Sequence, residues 1–167
     1  MFAIILIVLG IASRLLPHTS QFTAILAVSM FAGLYLPRWQ ALALPVAMMI
    51  VTDMILGFHD TIAYTWGSML IISSLGLWIK QHKNFGTVLG GSVCSAVIFF
   101  VVTNFGAWLS PLYPHTMAGL KECYIMAIPF FRSAFVSTVA YSLVLYGGYE
   151  WLLKRAQGSS SLARFVN

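Results

Sequence analysis

The chain has 167 residues, 60% of them hydrophobic and only 8% charged, with nine Lys/Arg against four Asp/Glu for a net charge of +5. A soluble domain carries about 25% charged residues, so a mean hydropathy of +0.90 points to an integral membrane protein and away from an ordinary soluble enzyme. At about 20 residues per spanning helix, this length holds six short-looped spans and leaves no room for a separate nucleotide-binding or catalytic domain.

The first helix is expected from Phe2 to Leu16, ending at Pro17. It has no basic n-region and no convincing cleavage site before Arg14, so it reads as a span and not as a signal peptide. A second helix covers Phe22 to Leu36 and stops at Pro37-Arg38. A third runs from Trp39 to Gly57, with Pro45 a candidate kink. The fourth, Thr61 to Ile79, and the fifth, Phe85 to Leu109, contain no Asp, Glu, Lys or Arg. A polar KQHKN segment at 80–84 separates them, and Ser110-Pro111 ends the fifth. Pro114 and Pro129 bracket a segment of mixed polarity from Tyr113 to Ala127, expected as a short interfacial helix over the outer mouth. It is read either as a lid or as an amphipathic helix on the headgroups. The sixth span then runs from Ile128 to Leu153, closed by Lys154-Arg155. The fold class is therefore all-α integral membrane: one six-helix bundle over residues 1–156, with a loosely ordered Ser-rich tail at 157–167.

The basic residues are dispersed over loops, so they carry topology and leave no nucleic-acid footprint. With the N-terminus cytoplasmic, Arg38, Lys80, Lys83, Lys154, Arg155 and Arg164 fall inside, against Arg14, Lys121 and Arg132 outside. The positive-inside rule thus places both termini in the cytoplasm. Trp39, Trp78 and Trp151 then lie at the inner interface and Trp108 at the outer one. Gly86-x-x-x-Gly90 and Gly91-x-x-x-Ser95 give the fifth helix a smooth face for close packing, and Gly147-Gly148 offers either another such face in the sixth or a point of flexibility. Packing within the bundle is the first reading of these residues and a docking face for another membrane subunit the second.

In that topology the scattered polar residues converge on one layer near the outer face. Arg14 and His18 end helix one, Asp53 lies a turn before the end of helix three, and Tyr64 and Trp66 begin helix four. Thr103 and Asn104 lie a turn below the end of helix five, Arg132 and Ser133 open helix six, and His115, Lys121, Glu122 and Tyr124 lie on the connection above. Charges beside the hydrocarbon core are costly, and they usually face a cavity or a partner. Two guanidinium groups, one carboxylate, an amide and aromatic walls suit a small anionic or zwitterionic solute with a flat ring. The candidate substrate-binding residues are Arg14, His18, Asp53, Trp66, Asn104, Tyr124 and Arg132. The competing reading is structural: Asp53 pairs with Arg14 or Arg132 to hold helices together, and Arg14 snorkels to headgroups. No HExxH, GxSxG or P-loop is present, so no enzyme is expected. Cys94 and Cys123 form no CxxC and no metal-ligand spacing. No cofactor or resident metal is expected.

Several segments together resemble an uncharacterised family of bacterial proteins regarded as membrane transporters: RLLPH at 14–18, DMILG at 53–57, TNFGAW at 103–108, YPHT at 113–116 with Gly119, and IPFFR at 128–132. That family is itself similar to the S components of energy-coupling-factor (ECF) transporters, and the stretch from Phe31 to Gly57 has the look of S components too. The resemblance implies a six-helix protein of the bacterial cytoplasmic (inner) membrane that binds a vitamin or other micronutrient near the outer face. It would put the substrate near Arg14, His18, Asp53, Asn104 and Arg132. It implies as partners the solute, membrane lipids, and either an ECF coupling subunit with its ATPases or no coupling module at all. Helix one, the usual coupling face, offers only Ala3, Gly10 and Ala12. The alternative function, from a different class, is a structural accessory subunit of a larger membrane complex.

Overall fold

The architecture comes from a computed structural model, which describes residues 2–16 and 22–157. Among these residues the chain is all-helical: α1 (Phe2–Leu15), α2 (Ile25–Tyr35), α3 (Arg38–Leu56), α4 (Ile62–Ile79) extended by a 3-10 turn at Lys80–His82, α5 (Phe85–Leu109) and α6 (Met117–Gln157). His18, and residues 158–167 of the expected tail, lie outside the described residues.

Local chemistry explains the boundaries. Leu36 is extended because Pro37 follows it, and Arg38 opens α3 behind that proline. Gly57 closes α3 with φ +101°, a conformation that favours glycine. Asn84 and Thr87 form a reciprocal capping box at the start of α5: the Asn84 side chain accepts from the Thr87 N–H, and the Thr87 hydroxyl accepts from the Asn84 N–H, both at 2.9 Å. Ser110, extended ahead of Pro111, stops the helix. Its expected bounds are the observed ones.

Helix α2 is the axis of the bundle. Ten of its residues are buried, Ile25 through Leu34, and it touches every other helix, α4 most extensively. Gly33 and Gly76 let α2 and α4 meet backbone to backbone. A Cβ on Gly33 would run into the Ser73 carbonyl oxygen, and one on Gly76 into the Met30 carbonyl oxygen. The Ser73 hydroxyl donates across this contact to the Ser29 carbonyl at 3.1 Å. The α2–α4 contact is therefore one that only glycine permits on both sides. The glycines expected to pack α5 divide: Gly91 faces Ile79 and Met30, whereas Gly90 meets nothing within 4 Å.

Among the described residues, four helices are long and apolar enough to cross a membrane: α3, α4 with its 3-10 turn, α5 and α6. With 14 and 11 residues, α1 and α2 reach only about 21 Å and 16 Å at 1.5 Å per residue, short of a hydrocarbon core of about 30 Å.

The expectation of a separate interfacial helix broken from the sixth span at Pro129 is corrected. One continuous helix of 41 residues runs through Pro129. It starts where the Thr116 hydroxyl accepts from the Gly119 N–H at 3.2 Å, an N-cap that leaves only residues 110–116 as connection. Proline removes one backbone donor, but helices in apolar surroundings tolerate it, since the rest of the backbone has no better partner than itself. Pro45 likewise sits inside an unbroken α3.

Helices alternate in direction, so the C-terminal ends of α1, α3 and α5 gather with the N-terminal ends of α2, α4 and α6. At the opposite end, the Lys80 Nζ donates to the Leu36 carbonyl at 3.1 Å and Lys83 pairs with Glu150 at 2.9 Å. The Lys83 ammonium also lies 5.0 Å from the centre of the Tyr35 ring. Exposed Trp39, Trp78 and Trp151 mark the same end.

Candidate functional site

Met49, Thr52 and Asp53 stand three and four residues apart on α3 and so share one face. That face meets Arg14 at the end of α1. The Arg14 Nη2 lies 2.8 Å from Asp53 Oδ1, with the Asp53 side chain 1% exposed and that of Arg14 17%. Arg14 Nη1 donates to the Thr52 hydroxyl, and it approaches the Met49 sulfur at 3.0 Å. Thr52 passes its own proton to the Met48 carbonyl at 2.8 Å. Trp66 on α4 completes the cluster: its indole N–H donates to Asp53 Oδ2 at 2.9 Å. Oδ1 makes no aligned hydrogen bond, so its contact with Arg14 is one of charge more than of direction. The ion pair binds α1, α3 and α4 together. Ser13, next to Arg14, adds α2 by accepting from the Ala24 N–H at 3.0 Å.

Arg14 forms part of the wall of a cavity of about 500 Å³ at the end where these helix termini gather. Thr23, Thr61, Thr65 and Thr103 give that wall hydroxyls, and Met49, Met69 and Phe99 give it an apolar side. His59, on the exposed α3–α4 connection, stands at its edge with Nδ1 2.9 Å from the Thr61 hydroxyl. A volume of roughly 300–1,000 Å³ with a few convergent polar groups on apolar walls is the usual form of a small-molecule site.

The other expected residues lie elsewhere. Asn104 lines a second, smaller cavity of about 130 Å³ between α5 and α6, walled by Phe99, Phe100, Phe130 and Phe131. Its side-chain amide donates to the Phe100 carbonyl at 2.7 Å, and its backbone carbonyl accepts from Cys123 Sγ at 3.3 Å. Tyr124 spends its hydroxyl on the Val101 carbonyl at 2.8 Å and borders neither cavity. Phe99 and Thr103 line both spaces and form the partition between them. Arg132 is exposed and borders neither. Because α6 begins at Met117, Arg132 does not open a helix; it stands fifteen residues inside one. Arg14, Asp53 and Trp66 are therefore brought together, while Asn104, Tyr124 and Arg132 are not joined to them.

Thr23, His59, Thr61 and Thr65 were not singled out from the sequence. Threonine near a helix end is ordinary in a membrane chain, and only the packing shows which ones converge. Among the described residues no group of three His, Cys, Asp or Glu side chains could hold a metal.

Four apolar helices of spanning length, with Arg14 and four threonines in a cavity wall at one end, point to a helical membrane protein. The chain belongs to DUF6580, a family of unknown function whose profile matches residues 1–161. No curated protein matches the chain. No solved structure matches it either.

Proposed function

We propose that this protein is a membrane-embedded substrate-binding protein for uptake of a small, vitamin-like or other micronutrient solute. In this reading it crosses the bacterial cytoplasmic membrane six times with both termini inside, the short α1 and α2 being accommodated by local thinning of the bilayer. The observation that carries it is the cavity of about 500 Å³ with the Arg14 guanidinium fixed in its wall. A guanidinium cannot be neutralised by losing its proton. Asp53, Thr52 and Trp66 hold the surrounding polar groups in one geometry, and the hydroxyls around the rim supply further partners. The solute takes a polar or anionic edge against this wall and an apolar body against Met69 and Phe99. Delivery involves an ECF-type coupling subunit with ATPases, or the protein acts alone.

A structural accessory subunit of a larger membrane complex is the second reading, favoured by the exposed, polar-bearing face of α6. Native mass spectrometry of protein gently extracted from its own membrane separates the two. Uptake predicts a stoichiometric small molecule that can be released and identified. An empty protein with defined subunits still attached refutes it in favour of the accessory role.

A further inference from the structure

Arg132 stands level with the middle of α5. Its neighbour Phe131 packs against Phe100, with ring centres 4.7 Å apart, and Ala134 faces the same small cavity as Ala96. Val97, the midpoint of α5 (Phe85–Leu109), lies between those two levels. Arg132 is nonetheless exposed, and among the described residues it has no ion-pair or hydrogen-bond partner. Around it the surface of α6 is apolar: Ile125, Met126, Phe130, Val136 and Val144 are exposed large hydrophobics. A cation at this depth costs roughly 2.5–3.5 kcal/mol even on insertion scales. With α5 centred in a hydrocarbon core of about 30 Å, the nearer edge lies about 15 Å away, beyond the reach of an arginine side chain that snorkels.

A second, independent observation falls on the same helix. Ala140, Gly147 and Gly148 are exposed, and a Cβ added at either glycine meets nothing within 4 Å. Each glycine inside a helix costs about 1 kcal/mol relative to alanine, and the chain's own packing gives no reason for these two. Ser133, Ala140 and Gly147 recur every seven residues, two turns apart and so on one face, and small side chains there leave room for another helix. Helix α6 is also peripheral, packed on α5 and α2 alone among pairs of any extent.

We infer that the exposed face of α6 through Arg132, Ala140 and Gly147 docks a transmembrane helix of a different protein, one carrying Asp or Glu near its mid-length. A second copy of this chain does not fit. Its four acidic residues are Asp53, buried against Arg14; Asp60, in the α3–α4 connection; Glu122, near the start of α6; and Glu150, paired with Lys83 at the far end. A two-fold dimer about the membrane normal through this face sets Arg132 against Arg132, with no carboxylate at that level to separate them.

The test is site-specific photo-crosslinking in the native membrane with Val136→p-benzoylphenylalanine, one turn from Arg132 and 55% exposed. The expected result is one adduct with another protein, attached to a span that carries Asp or Glu near its middle. Arg132→Gln reduces this adduct at least tenfold, whereas Arg132→Lys retains it. Both variants keep the wild-type elution and melting behaviour, because Arg132 has no partner within the described chain. Adducts with lipid only, with a second copy only, or none at all overturn the inference. So does a protein adduct indifferent to Arg132→Gln. The readout involves no solute, so it stands or falls apart from the uptake reading.

Discussion

Replacing Asp53 by Asn keeps the size of the side chain and an oxygen that can accept from Trp66, but it removes the charge facing Arg14. At an effective dielectric of about 20 and about 4 Å between charge centres, the lost attraction is about 4 kcal/mol. The Asp53 side chain is 1% exposed and that of Arg14 17%, so water reaches Arg14 from the cavity side alone and replaces the missing partner only in part. Removing one member of a buried pair typically costs about 3–5 kcal/mol, and that is the expected loss for Asp53→Asn. Arg14→Met should cost less, since an orphaned carboxyl can bind a proton and become neutral while an orphaned guanidinium cannot. The double variant Arg14→Met with Asp53→Leu should be more stable than Asp53→Asn alone. It removes both desolvation penalties and gives up two hydrogen bonds, from the Trp66 indole and to the Thr52 hydroxyl, each worth about 0.6–1.7 kcal/mol in membrane proteins. The assay is equilibrium unfolding in mixed micelles by SDS titration, followed by circular dichroism. If Asp53→Asn unfolds within 0.5 kcal/mol of wild type, or the double variant loses as much as the sum of its parts, the pair does not hold α1, α3 and α4 together.

Four further outcomes follow from the structure. Gly33→Val or Gly76→Val forces a side chain into the opposing backbone carbonyl and should cost about 1–3 kcal/mol or more. Gly147→Ala in the isolated protein should be neutral or stabilise by up to about 1 kcal/mol, and the same SDS titration reads both. Lys83→Met breaks a pair whose members are each about a third exposed (31% and 32%), so its cost should stay within about 1 kcal/mol; a larger fall in melting temperature than Gly33→Val gives would contradict that ranking. His59→Ala, on the exposed rim of the large cavity, should leave melting unchanged and lower the occupancy of the solute retained in native mass spectra several-fold.

The legible parts of the chain were those in which one physical rule dominates. Helix α5 has a charge-free run of 25 residues between an Asn84 cap and Ser110-Pro111, and no competing signal. Arg14, Asp53 and Trp66 could be grouped because alternating helices bring the end of α1, the end of α3 and the start of α4 to one depth. Only packing could decide that Asp53 pairs with Arg14 and not with Arg132. The lengths of α1 and α2 were harder, since hydropathy reports burial without saying whether lipid or protein does the burying. Helix α2 is apolar because it is the centre of the bundle.

The start of α6 shows how one local error spreads. Proline stops helices in water because water offers the freed backbone groups other partners; in apolar surroundings that alternative is missing, and the helix continues. The Thr116 cap, with Gly119 three residues on, was the competing signal for where α6 begins. Placing that start at Ile128 put Arg132 in the outer polar layer beside Arg14. Placing it at Met117 carries Arg132 down to the middle of α5 and turns it outward. The same guanidinium thereby changes from a candidate ligand group into a surface charge that needs a carboxylate from outside the chain. Its depth follows from eleven residues of helix register, and its role follows from its depth.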